Sequence, residues 1–104
     1  MPRFIAISLS FEGFHRWKDA PPEHAYLRER HRHLFVCKAY MEVGHGNRDV
    51  EFIALKRAVQ QWCAARFAEG GLSCEQMAQK ISEQYGFSRV EVWEDGENGG
   101  AYER

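Results

Sequence analysis

The chain holds few of the residues that mark special classes of protein. It has three prolines and three cysteines in 104 residues, and no two cysteines form a C-x-x-C pair. Cys37, Cys63 and Cys74 are odd in number and sit in strand-like or helix-like surroundings, which excludes a disulfide-stapled scaffold and points to reduced thiols. Charge of one sign is also missing: 14 Lys and Arg stand against 15 Asp and Glu, a net charge of -1. Nucleic acid or an anionic membrane as main partner would call for a basic excess. No apolar run is long enough to span a bilayer, and the N-terminus has no signal-peptide pattern. A cytoplasmic protein is expected. With 44% hydrophobic and 13% aromatic residues, the composition excludes disorder and suits one domain over residues 1–104 with a modest core.

Hydrophobic periodicity supplies the elements. Ile5, Ile7, Leu9 and Phe11 alternate with polar residues from Arg3 to Phe11, a half-buried strand whose parity continues to His15. Residues 16–30, with Asp19, Pro21 and Pro22, read as a long loop. A second strand runs from about His33 to Val43, with Phe35, Cys37, Ala39 and Met41 on the parity of His31 and His33. After the turn Gly44-His45-Gly46-Asn47 the period becomes helical. Phe52, Leu55, Val59, Trp62, Cys63 and Phe67 mark a helix over roughly Val50 to Ala68, stopped by Gly70-Gly71. Ser73 is the N-cap of a second helix that ends at Gly86. Ser88 to Glu94 reads as a third strand, Asp95 to Gly100 as a loop, and Ala101 to Glu103 as a short last strand. The order ββααββ predicts an α+β domain, an antiparallel four-stranded sheet with two helices on one face.

Three groups of residues carry candidate chemistry. His31 and His33, two apart on an extended segment, point the same way. His15, reached from the other strand, would complete a three-nitrogen zinc site with an open fourth position. The plainer reading makes them strand-end residues, or an anion site beside Arg30 and Arg32. Glu94 continues an apolar face at a strand end, where a carboxylate needs a partner. A ligand with adjacent N–H donors, such as a guanidine-like ring edge, would pair with it bidentately; in the plainer reading it is a strand-end residue that simply reaches water. Ser73-Cys74-Glu75 opens a helix, where backbone N–H groups can hold polar ligand atoms, although a simple N-cap accounts for it equally. Of the cysteines, Cys74 is expected to be exposed and reactive, and Cys37 and Cys63 to lie in the core. His24 and His45 read as surface loop residues.

Five segments in order are similar to the 6-pyruvoyl-tetrahydropterin synthase / 6-carboxytetrahydropterin synthase family, a tunnelling-fold group. Phe11-x-Gly13-x-His15 resembles F-x-A-x-H, and His31-Arg32-His33-Leu34-Phe35 resembles H-G-H-N-Y or H-G-H-S-F. Val50-Glu51-Phe52-Ile53-Ala54-Leu55-Lys56 resembles V-x-D-F-x-x-L-K. Ser73-Cys74-Glu75-Gln76-Met77-Ala78 resembles T-S-E-x-L-A, and Val90-Glu91-Val92-Trp93-Glu94 with Tyr102 resembles the closing V-x-V-x-E…Y. The resemblance implies zinc on His15, His31 and His33, a pterin ring anchored by Glu94, and help from the backbone near Ser73 and Cys74. It also implies a homo-oligomer, usually a hexamer of stacked rings joined edge to edge. The implied reaction is a zinc-dependent, lyase-type synthase step on a dihydroneopterin triphosphate-like substrate, with Arg16, Lys18, Arg28, Arg30 and Arg32 as candidate phosphate contacts.

Departures from the pattern bear on catalysis. Leu27 stands where the family carries its reactive cysteine, four residues before His31, and Arg28 stands where some relatives carry glutamate. Glu29, one place out of register, is the remaining candidate proton carrier. The family's Asp-His pair between the helices has no counterpart. The alternatives are therefore a non-catalytic, zinc-stabilised oligomer that binds a pterin or purine-like ligand, and an interaction module in which the histidines are incidental.

Overall fold

Two long antiparallel strands form the spine of the molecule. In the computed structural model, which describes the backbone of residues 1–104 and every side chain but that of His15, β1 covers Arg3–His15 and β2 covers His31–Val43. They pair along their whole length, from Arg3 opposite Val43 to His15 opposite His31. β4 (Arg89–Glu94) pairs with β2, and β5 (Asn98–Glu103) pairs with β4. α1 (Phe52–Arg66) and α2 (Cys74–Tyr85) pack on one face. The sheet is curled into a half-barrel, an architecture broadly like the tunnelling fold.

The expected four strands are five. Residues Glu69–Gly70 form β3, parallel to the end of β1 at Phe14 and His15, which gives the order β3-β1-β2-β4-β5. A two-residue strand carries no periodicity, so no pattern announces it. It exists because the chain leaving α1 runs alongside β1, where the Phe14 N–H donates to the Ala68 carbonyl at 3.0 Å. A third helix was also not expected: Pro22–Arg28 is a 3-10 segment inside the long loop. Pro22 fixes its first turn, and a segment so short shows no amphipathic stripe.

Local chemistry sets the helix limits. α1 starts at Phe52 because the Glu51 carboxylate accepts the Ala54 N–H at 2.6 Å, and it is shorter at both ends than the span of 50–68 expected from its period. α2 has a full capping box. The Ser73 hydroxyl accepts from the Gln76 N–H, and the Gln76 side chain accepts from the Ser73 N–H. It closes at Gly86 with φ 79. β5 is longer than expected because Gly99 and Gly100 serve as strand. A Cβ on Gly99 would stand 2.4 Å from the Val92 carbonyl oxygen, and one on Gly100 would stand 2.8 Å from the Glu75 nitrogen.

The core lies between helices and sheet. Ile7, Leu9, Phe11, Phe35, Cys37, Ala39, Val90 and Val92 face Val59, Cys63, Met77, Ala78 and Ile81, all buried. Aromatic rings tie the layers together: Phe11 sits 5.5 Å from Phe35 and 5.8 Å from Phe67, and Trp62 meets both Phe67 and Tyr85 edge-on. All three cysteines are buried thiols. Cys37 and Cys63 belong to the core, as expected, and burial pushes both thiols up, that of Cys37 to about 12. Among the described residues, no helix is long and apolar enough to cross a membrane.

Candidate functional site

One end of the sheet opens into a cavity of about 620 Å³, within the range that holds small organic ligands. Three stretches of chain build it. The loop after β1 and the start of β2 supply Arg16, Trp17, Leu27 and His31. The connection into α2 supplies Leu72, Ser73, Glu75 and Gln76, and Glu94 comes from the end of β4. The register brings Glu94 here, since it lies opposite Phe35 on β2, two residues from His33 and on the face that carries the core.

Glu94 belongs to a polar cluster. Its Oε2 lies 3.8 Å from His33 Nε2. On the other side of the ring, His33 Nδ1 donates to Asp95 Oδ2 at 2.7 Å, and Asp95 Oδ1 accepts the Leu34 N–H at 3.0 Å. These two bonds hold the Asp95 carboxyl below the usual range. Asp95 itself sits at φ 52, at the head of the β4–β5 turn. His31 stands edge-on to His33 with ring centroids 4.7 Å apart, and its Nδ1 donates to the Glu29 carbonyl at 2.8 Å.

The expected zinc centre is overturned. Among the described residues, no group of three or more His, Cys, Asp or Glu side chains is gathered as a metal ion requires. Protein zinc sites use at least three protein ligands, and His31 and His33 supply two. The side chain of His15 lies outside the described residues; its backbone pairs with His31. Zinc as cofactor is set aside with the metal site. The zinc-dependent synthase or lyase and the zinc-stabilised oligomer fall for the same reason.

The remaining site residues have definite places. Glu94 and Ser73 both line the cavity. Cys74 lies just behind it and is buried, not exposed. Burial pushes its thiol up to about 12, and the Glu94 and Glu75 carboxylates push the same way, so the helix start does not make it reactive. Glu29 reaches His31 with its carbonyl and does not line the cavity. Of the five candidate phosphate contacts, three are engaged elsewhere. Arg28 donates to the Ala20 carbonyl, Arg30 pairs with Glu69 while lying over the Phe14 ring, and Arg32 faces Glu12 at 3.4 Å. Arg16 lines the cavity, and Arg16 and Lys18 line a smaller depression of about 430 Å³.

Sequence reasoning missed Trp17, Leu72 and Asp95. Trp17 is half exposed on the cavity wall and stacks on His24, ring centroids 6.1 Å apart. Its signal was available, since a tryptophan in a polar loop beside His15 has no core to enter. Asp95 was legible as the first residue of an Asp-Gly turn, though its bond to His33 depends on a strand 62 residues away in sequence. No protein-family model matches the chain, and no curated protein matches it.

Proposed function

We propose that this chain is a divergent relative of the tetrahydropterin synthase group that binds a planar nitrogen heterocycle without a metal ion. The ligand carries an amidine- or guanidine-like edge, as a pterin or guanine does. The observation that carries this reading is Glu94, a half-buried carboxylate on the wall of a cavity that Trp17 also lines. A carboxylate pairs bidentately with two adjacent N–H donors, and charge-assisted bonds of this kind are the strong ones. An indole ring adds stacking area for a flat heterocycle. Leu27 and Leu72 supply apolar walls, and the absence of the family's cysteine and Asp-His pair fits binding without turnover. Self-association through the sheet edges belongs to the same proposal, since β5 and most of β1 have no strand beyond them.

The test is a titration with pterin, followed by quenching of tryptophan fluorescence, in the presence and absence of a chelator. Saturable binding is expected, unchanged by the chelator. Glu94→Gln should weaken it by about 2–3 kcal/mol, roughly thirty- to 150-fold, the worth of charge-assisted bonds to one partner. Lumazine, which lacks the 2-amino group, should bind as weakly as pterin binds the variant. Equal binding of both rings, or an unaffected Glu94→Gln, would refute the reading.

A further inference from the structure

The other end of the long β1–β2 ladder holds a second cleft. It lies about 40 Å along β1 from the heterocycle cavity, at roughly 3.3 Å per residue. Its volume is about 700 Å³, and it is walled by the start of β1, the end of β2, the loop 44–51 and the first residue of α1. We propose that it is a binding site for a small organic carboxylate with an aromatic body.

Four residues carry the argument. Phe4 and Phe52 line the cleft with their rings half exposed, at 51% and 53%. Arg3 and Arg48 also line it. Among the described residues neither has a carboxylate within ion-pair distance, as is true of most arginines of this chain. Among the described residues, the one side-chain hydrogen bond of Arg48 runs from Nη1 to Asn47 Oδ1, at 3.5 Å. The acidic residues of the cleft have partners of their own. Asp49 Oδ2 accepts the Gly44 N–H at 2.7 Å and its Oδ1 lies 3.5 Å from His45 Nε2, while Glu51 caps α1.

The loop is built to present this pair of cations. The Asn47 N–H donates to His45 Nδ1 at 3.2 Å, which pins the turn from within. Arg48 stands at φ 54, a left-handed conformation that a long side chain seldom adopts, and strain of this kind gathers at functional sites. Arg3 lies across Gly46, where a Cβ would come within 3.2 Å of its Nε. Guanidinium forks match a carboxylate in plane and spacing, and the phenyl rings beside them would take an apolar body. A bare inorganic anion would leave those rings unused.

The probe is 3-phenylpropionate, titrated into the protein and followed by backbone amide NMR. Saturable shifts confined to residues 3–5 and 43–52 are expected, with residues 71–76 unmoved. Arg48→Asn, which tolerates the left-handed backbone, and Arg3→Gln should each weaken binding by about tenfold or more. Both variants should keep the thermal midpoint of the wild type. Phenylpropanol and inorganic phosphate should each bind at least about tenfold more weakly. Equal affinity for phenylpropanol would show a greasy cleft without carboxylate recognition, and equal affinity for phosphate an anion trap without an apolar wall. Either result overturns the proposal, as do unaffected arginine variants or no saturation by about 10 mM. Pterin binding at the far cavity uses none of these residues, so the two readings fail separately.

Discussion

Asp95 shows how much one side chain can fix at the cavity's edge. Its two carboxylate oxygens hold the His33 ring and the Leu34 backbone, and both bonds favour the charged form. The folded value is depressed, so its stabilisation is present above the unfolded value of about 3.9. It is lost as pH falls through that range toward the folded value. Asp95→Asn keeps a residue that tolerates φ 52 and removes the titration. The gap in thermal midpoint between wild type and variant should therefore be widest above about pH 5 and shrink by about pH 3. A gap that stayed constant with pH would mean the carboxylate charge plays no part. Cys74 makes the opposite point. With its thiol raised to about 12, it should resist iodoacetamide at pH 8 in the folded protein and react only at the rate of unfolding. Rapid labelling of Cys74 in the native state would contradict its burial.

At the scale of elements, close backbone approaches decide what a sequence pattern leaves open. Gly13 lies in β1 where the resembling family carries alanine. Here the chain leaving α1 passes so near that a Cβ would sit 2.5 Å from the Phe67 carbonyl oxygen. Gly13→Ala should cost about 1–3 kcal/mol, the usual range for overpacking, read as a lower midpoint in urea. A neutral outcome would mean that the Phe67–Gly70 segment yields freely. That segment also marks where reading from sequence stops. The alternation of Ile5 to Phe11, the helical spacing of Val59 and Cys63 and the Ser73 cap are each set within a few residues, so their elements were legible. β3 and the lengthening of β5 through Gly99 and Gly100 depend on another backbone lying alongside, which no local period encodes. The candidate site divides the same way. Glu94 was legible because a carboxylate on an apolar parity is conspicuous. The expected zinc centre is overturned because, among the described residues, no third His, Cys, Asp or Glu side chain joins His31 and His33 as a metal ion requires.

At the scale of the whole molecule, the sheet has two unfinished edges. Among the described residues, β3 covers β1 only at Phe14 and His15, and no strand pairs beyond β5. The Ser10 carbonyl accepts from Gln60 Nε2 and the Phe14 N–H donates to Ala68, so the even-numbered residues of β1 direct their backbone groups outward. Phe4, Ala6 and Ser8 thus present backbone donors and acceptors along a stretch, Phe4 to Phe11, with no charged residue to discourage pairing. In the proposed self-association, a second copy offering its β5 edge would satisfy them, and a curled sheet extended in this way would close into a ring. Sedimentation velocity should then show assembly that grows with concentration. Ser8→Pro removes one outward N–H while leaving the β1–β2 ladder intact, because proline is tolerated at an edge position that faces away from its neighbour. The variant should sediment as a monomer with its thermal midpoint nearly unchanged. A wild type that stays monomeric at every concentration, or a variant that assembles as before, would place the contact elsewhere. The pairing also bears on ligand binding. If edge pairing tightens the end of β1 where the Trp17 loop begins, Ser8→Pro should weaken pterin binding although it lies far from Glu94. Unchanged binding would make each cavity self-sufficient.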